Sequence, residues 1–513
     1  MNNNRRIRNR RGAVALVMIS CLLLCLMCCS WSAVRAEVSI RVDGTQTRQT
    51  IEGFGATTMS LVYEGPLGDT LSPELRRRAI EAAYGQVQLN GGNLNVNFVR
   101  PPHNGAHGAE PAGLYHGYRT FGSEAMKTKL VDLAAPLGFT EWNLSPKIEI
   151  RWSNPPLRKL RQTDYPGFLA ACGEQVALCA CYWRDRYQLV PRFIMPFNEP
   201  TSGNGELAGG NAKEVAEIVR AIGQRLRAEG FADVKLVAPC EETVARSLAV
   251  AETILADEHA RPFVGAIGYH CYPYGSPYAS VPRILHASGT GQPDRKEIEL
   301  RQRLRDLGRR YQVPLWMTEV SHSGAPALSF DALRGRAIHI HDEMLYADAS
   351  AYYAMNAIWD LTSHRDHFKG RGGDHPDALF TEQDTVVLVD NDKRAVHITG
   401  MGYAIGHYAR WVRRGAVRVE AESSDPLVQV TAFRDEADKR LVLVVINNGH
   451  GPKKLLINAN GFSLAGRITG ERSTTHAFWK PLPSVEIGQK GDVSLEVPGL
   501  SVTSLAVPGS IKP

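Results

Sequence analysis

Between about residues 50 and 412, short apolar runs rich in β-branched residues alternate with longer stretches whose apolar residues recur at helical spacing. This alternation is typical of a parallel α/β architecture. Eight of the short runs predict strands, which is the number that a TIM barrel requires. A doubly wound sheet would show the same alternation, so periodicity alone leaves both architectures open. The predicted strands are 51–56, 93–100, 141–152, 192–197, 234–238, 264–269, 314–318 and 351–359.

Helix signals lie between these runs. Ser72-Pro73-Glu74 predicts a capped helix start, and Gly85 is the predicted end of that helix. The stretches 297–310 and 331–346 have the same apolar spacing and also predict helices.

After residue 415 the pattern changes to strand-like segments with no evident helix, which predicts a β-sandwich of about 100 residues. Asn448-Gly449 is the sharpest hairpin signal in this region. Another predicted strand near the mature N-terminus could join the sandwich. The predicted organisation is a signal peptide (1–36), an N-terminal strand of the sandwich (37–49), a (β/α)8 barrel (50–414) and a C-terminal sandwich (415–513). The strand-like segments after 415 are 417–421, 428–432, 441–446, 455–457, 493–497 and 502–507.

Residues 1–36 have the pattern of a secretory signal peptide. Several arginines precede a mainly apolar run over 13–29, and Val34-Arg35-Ala36 ends in a small residue before Glu37. The apolar run could also just span a bilayer as an uncleaved anchor, and Cys28 or Cys29 could belong to a lipoprotein signal. The small residue at the end favours cleavage, and the expected location is secreted or periplasmic.

The chain is 43% hydrophobic and 22% charged, a globular composition with 59 Lys+Arg against 53 Asp+Glu. A formal charge of +6 would suggest an anionic partner such as nucleic acid. However, six of the arginines and no acidic residue lie in 1–36, which leaves 53 residues of each sign in the mature chain. We therefore expect neither a nucleic-acid partner nor a stable membrane association.

Four of the nine cysteines lie in the signal peptide, and the other five show no C-x-x-C spacing. An odd number of cysteines in a long chain is not a disulfide framework. Cys172, Cys179 and Cys181 fall in one predicted helix, where buried free cysteine is the favoured interpretation.

Two glutamates stand directly after predicted strands. Glu199 follows the fourth strand in Asn198-Glu199-Pro200, and Glu319 closes the seventh. Residues at the C-terminal ends of barrel strands converge on one site. Glycoside hydrolysis needs two carboxyl groups, one protonated and one ionised, about 5 Å apart if the anomeric configuration is retained. Either motif alone is weak evidence, because most glutamates are solvated, but together they form a candidate catalytic pair.

These and other motifs resemble glycoside hydrolase family 30, a clan A family of retaining β-glycosidases, over nearly all of the mature chain. The family has a TIM barrel with an associated β-sandwich, which the resemblance implies here. The motifs that carry it are Ile51-Glu52-Gly53-Phe54-Gly55-Ala56, 88–100, Ser153-Asn154-Pro155-Pro156, Asn198-Glu199-Pro200, His270-Cys271-Tyr272, Trp316-Met317-Thr318-Glu319-Val320 and 401–420.

The resemblance implies a role for each matching residue. Glu199 would be the general acid and then the base, and Glu319 the nucleophile. Asn198 would hold the sugar 2-hydroxyl, while Arg100 and Tyr272 would orient Glu319 and keep it ionised. His270 would be a further substrate-site residue.

Aromatic side chains suit the floor of a sugar-binding cleft, where an apolar ring face contacts the sugar and the edge of the ring contacts water. Trp359, at the end of the eighth predicted strand, is the first candidate and Trp152 the second. Trp183 and Trp411 lie on helical stretches, where core packing is favoured. After the fifth strand the family has Ala-Pro-Glu, but here a cysteine is inserted in Ala238-Pro239-Cys240-Glu241, so either Glu241 or Glu242 could face the cleft.

The stretch 364–375 is rich in His, Arg and Asp. The simpler interpretation is a solvated loop without a binding role. Alternatively, Arg365 or Arg371 would pair with a carboxylate or sulfate of the glycan. No metal and no cofactor is expected, and the chain is expected to be a monomer that binds a poly- or oligosaccharide.

The sequence thus predicts a retaining β-glycosidase acting on xylan, β-galactan or β-glucan. The alternatives are a glucosylceramidase-type enzyme and a carbohydrate-binding barrel without activity.

Overall fold

The computed structural model of the chain describes residues 37–57, 71–95, 97–99, 119–121, 130–148, 150, 155–203, 207, 209–272, 281–290, 294–320, 325–361, 385–488 and 493–511. The predicted signal peptide therefore lies outside the described residues. Among the described helices, none combines the length and apolar character needed to cross a membrane.

Strands and helices are numbered here in chain order. The strands before the sandwich region are β1 (Glu37–Thr50), β2 (Gly53–Thr57), β3 (Gly91–Asn95), β4 (Asn97–Val99), β5 (Arg119–Phe121), β6 (Asn143–Ser145), β7 (Phe193–Ile194), β8 (Lys235–Glu241), β9 (Val264–His270), β10 (Leu315–Glu319), β11 (Ala349–Ala354), β12 (Asn356–Asp360), β13 (Thr385–Asp390) and β14 (Ala395–Ile398). The helices are α1 (Pro73–Ile80), α2 (Pro155–Thr163), α3 (Tyr165–Tyr187), α4 (Ala212–Ala228), α5 (Val244–Ala256), α6 (Val281–Thr290), α7 (Arg295–Tyr311), α8 (Phe330–Tyr346) and α9 (Gly400–Ala409).

Eight parallel strands close into a barrel in the order β2-β3-β6-β7-β8-β9-β10-β11, with β11 pairing back onto β2. Each overlaps one of the eight predicted strands. Closure excludes the doubly wound sheet and confirms the TIM barrel. Gly55 explains part of the first-strand motif, because a Cβ atom there would lie 1.7 Å from the carbonyl oxygen of Gly91 on the neighbouring strand.

The helix starts follow local capping chemistry. The Ser72 hydroxyl accepts a hydrogen bond from the backbone N–H of Leu75 at 3.3 Å, as the Ser-Pro-Glu motif predicts. The predicted end at Gly85 lies one residue before the end of the helical stretch, because α1 ends at Ile80 and the chain continues as a π-helical segment over Glu81–Gln86. The helices predicted over 297–310 and 331–346 are α7 and α8.

The eighth predicted strand, 351–359, is two strands in the structure. The chain breaks at Met355, whose backbone N–H donates to the carbonyl of Val320 at 3.2 Å. Strand β12 then leaves the barrel and pairs with β13 in a separate three-stranded sheet with β14. Trp359 therefore lies on this small sheet and not on a barrel strand.

The region after residue 415 is all β-structure among the residues that the structure describes there. Its strands are β15 (Val417–Ser423), β16 (Val428–Asp435), β17 (Arg440–Asn447), β18 (Lys453–Asn460), β19 (Phe462–Leu464), β20 (Arg467–Thr474), β21 (Ala477–Pro481), β22 (Val485–Glu486), β23 (Val493–Val497) and β24 (Ser501–Ile511). Together with β1 they form one eleven-stranded sheet along the path β21-β20-β24-β17-β16-β15-β1-β18-β23, with β19 on β24 and β22 on β20. The two ends of this sheet share one apolar core, which gives a sandwich.

The N-terminal strand β1 belongs to this sandwich. It pairs antiparallel with β15 and parallel with β18. Val38, Ile40 and Val42 alternate into the sandwich core, as period-2 patterning requires. The chain therefore forms one sandwich strand before it enters the barrel.

The hairpin predicted at Asn448-Gly449 is wrong. Strand β17 pairs with β16 and β24, whereas β18 pairs with β1 and β23, so the dipeptide connects strands that are not neighbours. The Asn448 side chain serves the domain interface instead. Its Oδ1 accepts from Arg334 of α8 at 3.2 Å, and its Nδ2 donates to Gln429 at 2.9 Å.

Two buried histidines link the barrel to the sandwich. His341 on α8 lies 2.8 Å from the Thr431 hydroxyl. On α9, both ring nitrogens of His407 lie 2.8 Å from serine hydroxyls, those of Ser473 and Ser504. Burial lowers the pKa of each histidine to about 3, with a smaller contribution from a nearby arginine.

These histidines predict acid sensitivity of the fold. In the unfolded chain they take up a proton near pH 6.5, whereas the folded protein keeps them neutral, so the folded state loses stability as the pH falls below 6.5. We expect the free energy of unfolding to drop by about 3 kcal/mol for the pair between pH 6.5 and 5. Denaturant titrations at several pH values measure this slope.

The control for this experiment is a surface histidine. His341→Gln and His407→Gln should each flatten the pH dependence, and His259→Gln, at an exposed position of the chain, should leave it as in the wild type. A wild-type slope in both interface variants would contradict the assignment.

Candidate active site

The candidate carboxylates lie at the same end of the barrel. Glu199 follows β7, and Glu319 is the last residue of β10. One carboxylate oxygen of each and one ring nitrogen of His270, from the end of β9, lie within 4.8 Å of one another. Two residues separated by 120 positions in sequence thus meet because the barrel brings the C-terminal ends of their strands together.

Glu319 is nearly buried and receives a hydrogen bond. The phenol of Tyr272 donates to Glu319 Oε1 at 2.7 Å, and only 8% of Glu319 is exposed. Tyr272 is held in turn by its backbone N–H, which donates to the carbonyl of Glu242 at 2.9 Å. A donated hydrogen bond stabilises negative charge on the carboxylate. Arg100, the other predicted partner of Glu319, lies outside the described residues.

Glu199 sits on an unusual backbone. Its φ of +51° lies in the left-handed region, as does that of Cys240 (φ +60°) on the neighbouring strand. The backbone N–H of Glu199 donates to the carbonyl of Cys240 at 2.8 Å, which ties the two together. Such conformations cost about 1–3 kcal/mol for residues other than glycine and are typical of functional sites.

The side chain of Glu199 contacts His270. Nδ1 of His270 lies 3.2 Å from Glu199 Oε1. Because His270 is only 1% exposed, it lies behind the acid/base candidate. The 16% exposure of the Glu199 side chain leaves it open to the barrel mouth.

The inserted Cys240 explains why Glu241, and not Glu242, lies beside the turn that carries Glu199. Cys240 forms a β-bulge in β8 and packs inside the barrel against Trp316 and Met195. The bulge leaves Glu241 fully buried, with its Oε1 accepting from the backbone N–H of Thr201 at 2.8 Å. Burial raises the pKa of the Glu241 carboxyl, and the Thr201 backbone hydrogen bond opposes that shift.

Glu241 therefore supports the turn that carries Glu199. Glu242 instead pairs with Arg246 at 2.9 Å, at the start of α5. Neither glutamate adds a third carboxylate to the pair of Glu199 and Glu319.

Asn198 has a partner that the sequence did not indicate. The ammonium of Lys147, two residues beyond β6, donates to Asn198 Oδ1 at 2.8 Å. A single lysine after a short strand carries no motif, so nothing in the sequence singled it out.

The tryptophans have different surroundings. Trp359, the first candidate for the sugar-binding floor, is half-buried on β12 and packs against Leu361 and Leu388. Trp152, the second candidate, lies outside the described residues. The stretch 364–375 also lies outside them. Trp183 is buried on α3, as expected for core packing. Trp411 lies just after α9 and donates its indole N–H to Glu471 of the sandwich at 2.9 Å.

A second buried polar cluster lies behind β9. Arg301 contacts Glu343 at 2.6 Å and Cys271 at 3.4 Å, and the Tyr269 phenol donates to Glu343 at 2.8 Å. Burial raises the pKa of the Cys271 thiol, and that of Glu343 is lowered because Arg301 and His339 outweigh its burial. The cluster anchors the strand that presents His270 and Tyr272.

Side chains that could hold a metal ion lie close together both in the cluster behind β9 and around Glu199 and Glu319. Ligand atoms of Cys271, His339 and Glu343 lie within 4.8 Å of one another. The guanidinium of Arg301 already supplies the positive charge there, so this cluster does not fit a metal ion. In the group of Glu199, His270 and Glu319, His270 contacts Glu199 and Tyr272 donates to Glu319. We assign no metal to either.

All five cysteines of the described chain are free and buried, which agrees with the prediction of core thiols. They are Cys172, Cys179, Cys181, Cys240 and Cys271.

Known proteins match both parts of the chain. Residues 415–505 match the model of the glycosyl hydrolase family 30 beta sandwich domain. The curated protein "Glucuronoxylanase XynC" from Bacillus subtilis is 26% identical over 190 residues, which are 34% of this chain and 38% of that protein. The match therefore spans well under two thirds of that relative's length.

Solved structures resemble nearly the whole chain. Xylanase C from Talaromyces cellulolyticus, described as the catalytic domain of a GH30 enzyme, has a TM-score of 0.65 at 15% identity, covering 91% of this chain and 99% of that one. A GH30 endoxylanase from Clostridium papyrosolvens C71 has a TM-score of 0.62 at 15% identity, covering 92% and 100%. At these identities the likeness speaks for the fold. Together with the β-sandwich match and the curated relative, it confirms the resemblance to glycoside hydrolase family 30 that the motifs indicate.

Proposed function

We propose that the protein is an exported β-glycoside hydrolase that cleaves β-linked polysaccharide with retention of anomeric configuration. The observation that carries the proposal is the meeting of Glu199 and Glu319, with one oxygen of each within 4.8 Å of the other. Retaining enzymes hold their carboxyl groups about 5–5.5 Å apart, whereas inverting enzymes need about 6.5–9.5 Å to admit a water molecule.

The surroundings of the two residues support different roles. Glu319, held by the Tyr272 hydrogen bond, attacks the anomeric carbon as a carboxylate while Glu199 gives its proton to the departing glycosidic oxygen. The products of this step are a glycosyl ester on Glu319 and a released sugar hydroxyl. Glu199 then removes a proton from water, which displaces Glu319 and returns both residues to their starting states.

Xylan is the substrate that we propose first. The support is the curated relative, a glucuronoxylanase, and the likeness of the fold to xylanases. β-1,6-Galactan and β-glucans are the neighbouring possibilities, and glucosylceramide is the lipid-linked one.

Product release from these four substrates tests the assignment. We expect reducing sugar from xylan and none from glucosylceramide. Release from glucosylceramide alone would contradict the polysaccharide assignment, and release from none of the four would contradict the glycosidase assignment.

Assays on xylan with and without uronic acid groups test whether the enzyme binds acidic substituents of the polymer. Arg365 and Arg371 remain the sequence-based candidates for binding them. If they do, wild-type enzyme should prefer xylan that carries uronic acid groups, and an Arg365→Ala, Arg371→Ala variant should lose that preference. Equal rates for both proteins on both polymers would contradict the hypothesis.

Export is proposed from the pattern of residues 1–36. Protein recovered from the periplasm or medium should begin at Glu37 when its N-terminus is sequenced. A mature N-terminus at Met1 would contradict cleavage.

A further inference from the structure

Lys147 is a nearly buried lysine that contacts a predicted substrate-site residue. Only 9% of it is exposed, and its ammonium donates to Asn198 Oδ1 at 2.8 Å. An ammonium is costly to bury unless it is paired or hydrogen-bonded. The contact of this ammonium with Asn198, the residue directly before Glu199, therefore needs an explanation that core packing does not give.

The backbone holds the two side chains side by side. The N–H of Ile148 donates to the carbonyl of Pro196 at 2.8 Å, which continues the alignment of β6 and β7 beyond the ends of both strands. From the other side, the Gln175 amide donates to the carbonyl of Lys147 at 3.4 Å. The lysine is thus fixed on a rigid segment and not on a freely moving loop.

The chemistry of lysine determines the orientation of the asparagine amide. An ammonium has three donors and no acceptor, so it can face only the oxygen of the amide. Nδ2, with its two N–H donors, must then point away from Lys147. Among the described residues the structure gives Nδ2 no hydrogen-bond partner, and Asn198 is only half-buried.

We propose that Lys147 is a positioning residue that fixes the Asn198 amide so that Nδ2 donates to the sugar 2-hydroxyl. This inference rests on the proposed function and deepens it. The positive charge on the carbonyl side also polarises the amide and makes its N–H groups stronger donors. Hydrogen bonds to the 2-hydroxyl strengthen in the transition state of glycoside hydrolysis, so the effect falls on kcat.

The test compares two substrates that differ by one hydroxyl. The first is an aryl β-xylobioside, or the aryl β-bioside of whichever polymer the wild type cleaves fastest. The second lacks the 2-hydroxyl on the sugar that carries the aryl group. We expect Lys147→Met to lower kcat about 30-fold or more on the first substrate and less than about 3-fold on the second.

Four further variants separate positioning from folding. Lys235→Met removes a lysine that bonds the Pro262 carbonyl at the opposite end of a barrel strand, and it should leave both rates unchanged. Lys147→Gln keeps a hydrogen-bond donor without the charge. This variant should therefore retain most of the wild-type ratio between kcat on the substrate with the 2-hydroxyl and kcat on the substrate without it. The double variant Lys147→Met, Asn198→Ala should be no worse than Asn198→Ala alone, because both remove one interaction.

The outcomes separate the hypotheses. An equal loss on both substrates, with or without a shifted pH profile, would overturn the inference and leave the glycosidase assignment intact, since Lys147 would then act on the fold or on the carboxylates. A wild type that cleaves neither aryl glycoside nor polymer would overturn the proposed function and this inference with it.

Discussion

Glu319→Gln is expected to lower turnover of an aryl β-glycoside by about four orders of magnitude or more, because the amide cannot form the glycosyl ester. The substitution preserves the size of the side chain and can still accept the hydrogen bond that Tyr272 donates at 2.7 Å. The fold should therefore be unchanged by circular dichroism. Steady-state rates on a 2,4-dinitrophenyl glycoside measure the effect.

The matched control is Glu252→Gln, an exposed glutamate on α5, which should keep the wild-type rate. Turnover of Glu319→Gln within tenfold of the wild type would refute the nucleophile assignment. A loss that accompanies a changed circular dichroism spectrum would point to folding, and Glu319→Asp would then separate the two causes, because it keeps the carboxylate and moves it back by one methylene.

Glu199→Ala is expected to lose about 10²–10⁴-fold on polysaccharide, the usual contribution of general acid catalysis. The loss should be smaller on a dinitrophenyl glycoside, whose leaving group departs without a proton. Azide should restore turnover by attacking the glycosyl ester on Glu319, and the product should be the β-glycosyl azide because two displacements retain configuration.

The reciprocal variant provides the control. Glu319→Ala with azide should give the α-glycosyl azide in one displacement, with Glu199 still able to protonate the leaving group. If the two variants gave the opposite anomers, the roles of Glu199 and Glu319 would be exchanged. The anomer of each azide can be read from the coupling constant of its anomeric proton.

The sequence predicts the barrel well because strand patterning is local. Each of the eight predicted runs overlaps a barrel strand, although the predicted run 141–152 shrinks to Asn143–Ser145 in the structure. Apolar periodicity indicates where a strand lies but not where pairing stops, since pairing depends on the neighbouring strand. The same limit applies to 351–359, which a bend at Met355 divides between two sheets.

The two glutamates could be predicted because their position after strands is itself a signal. Lys147 could not, because its importance comes from a contact across two strands with Asn198. Asn448-Gly449 was misleading for a related reason. The dipeptide has hairpin chemistry, but the side chain of Asn448 is used to hold α8 against the sandwich.

The barrel and the sandwich share buried aromatic contacts in addition to their chain connections. Phe433 of β16 packs against Phe54 of β2 and Tyr408 of α9, and its outward sheet face joins the barrel core. Because such buried aromatic pairs are stabilising, we expect the stabilities of the two parts to be coupled. We therefore expect the acid sensitivity of His341 and His407 to affect activity and stability together.

The stereochemistry of the first product tests the central claim most directly. A proton NMR time course of xylan or aryl xylobioside cleavage resolves the anomeric signals before mutarotation mixes them. Double displacement through Glu319 predicts that the β-anomer appears first and that the α-anomer follows only as mutarotation proceeds. An α-anomer formed first would show a single displacement by water and would contradict the retaining mechanism.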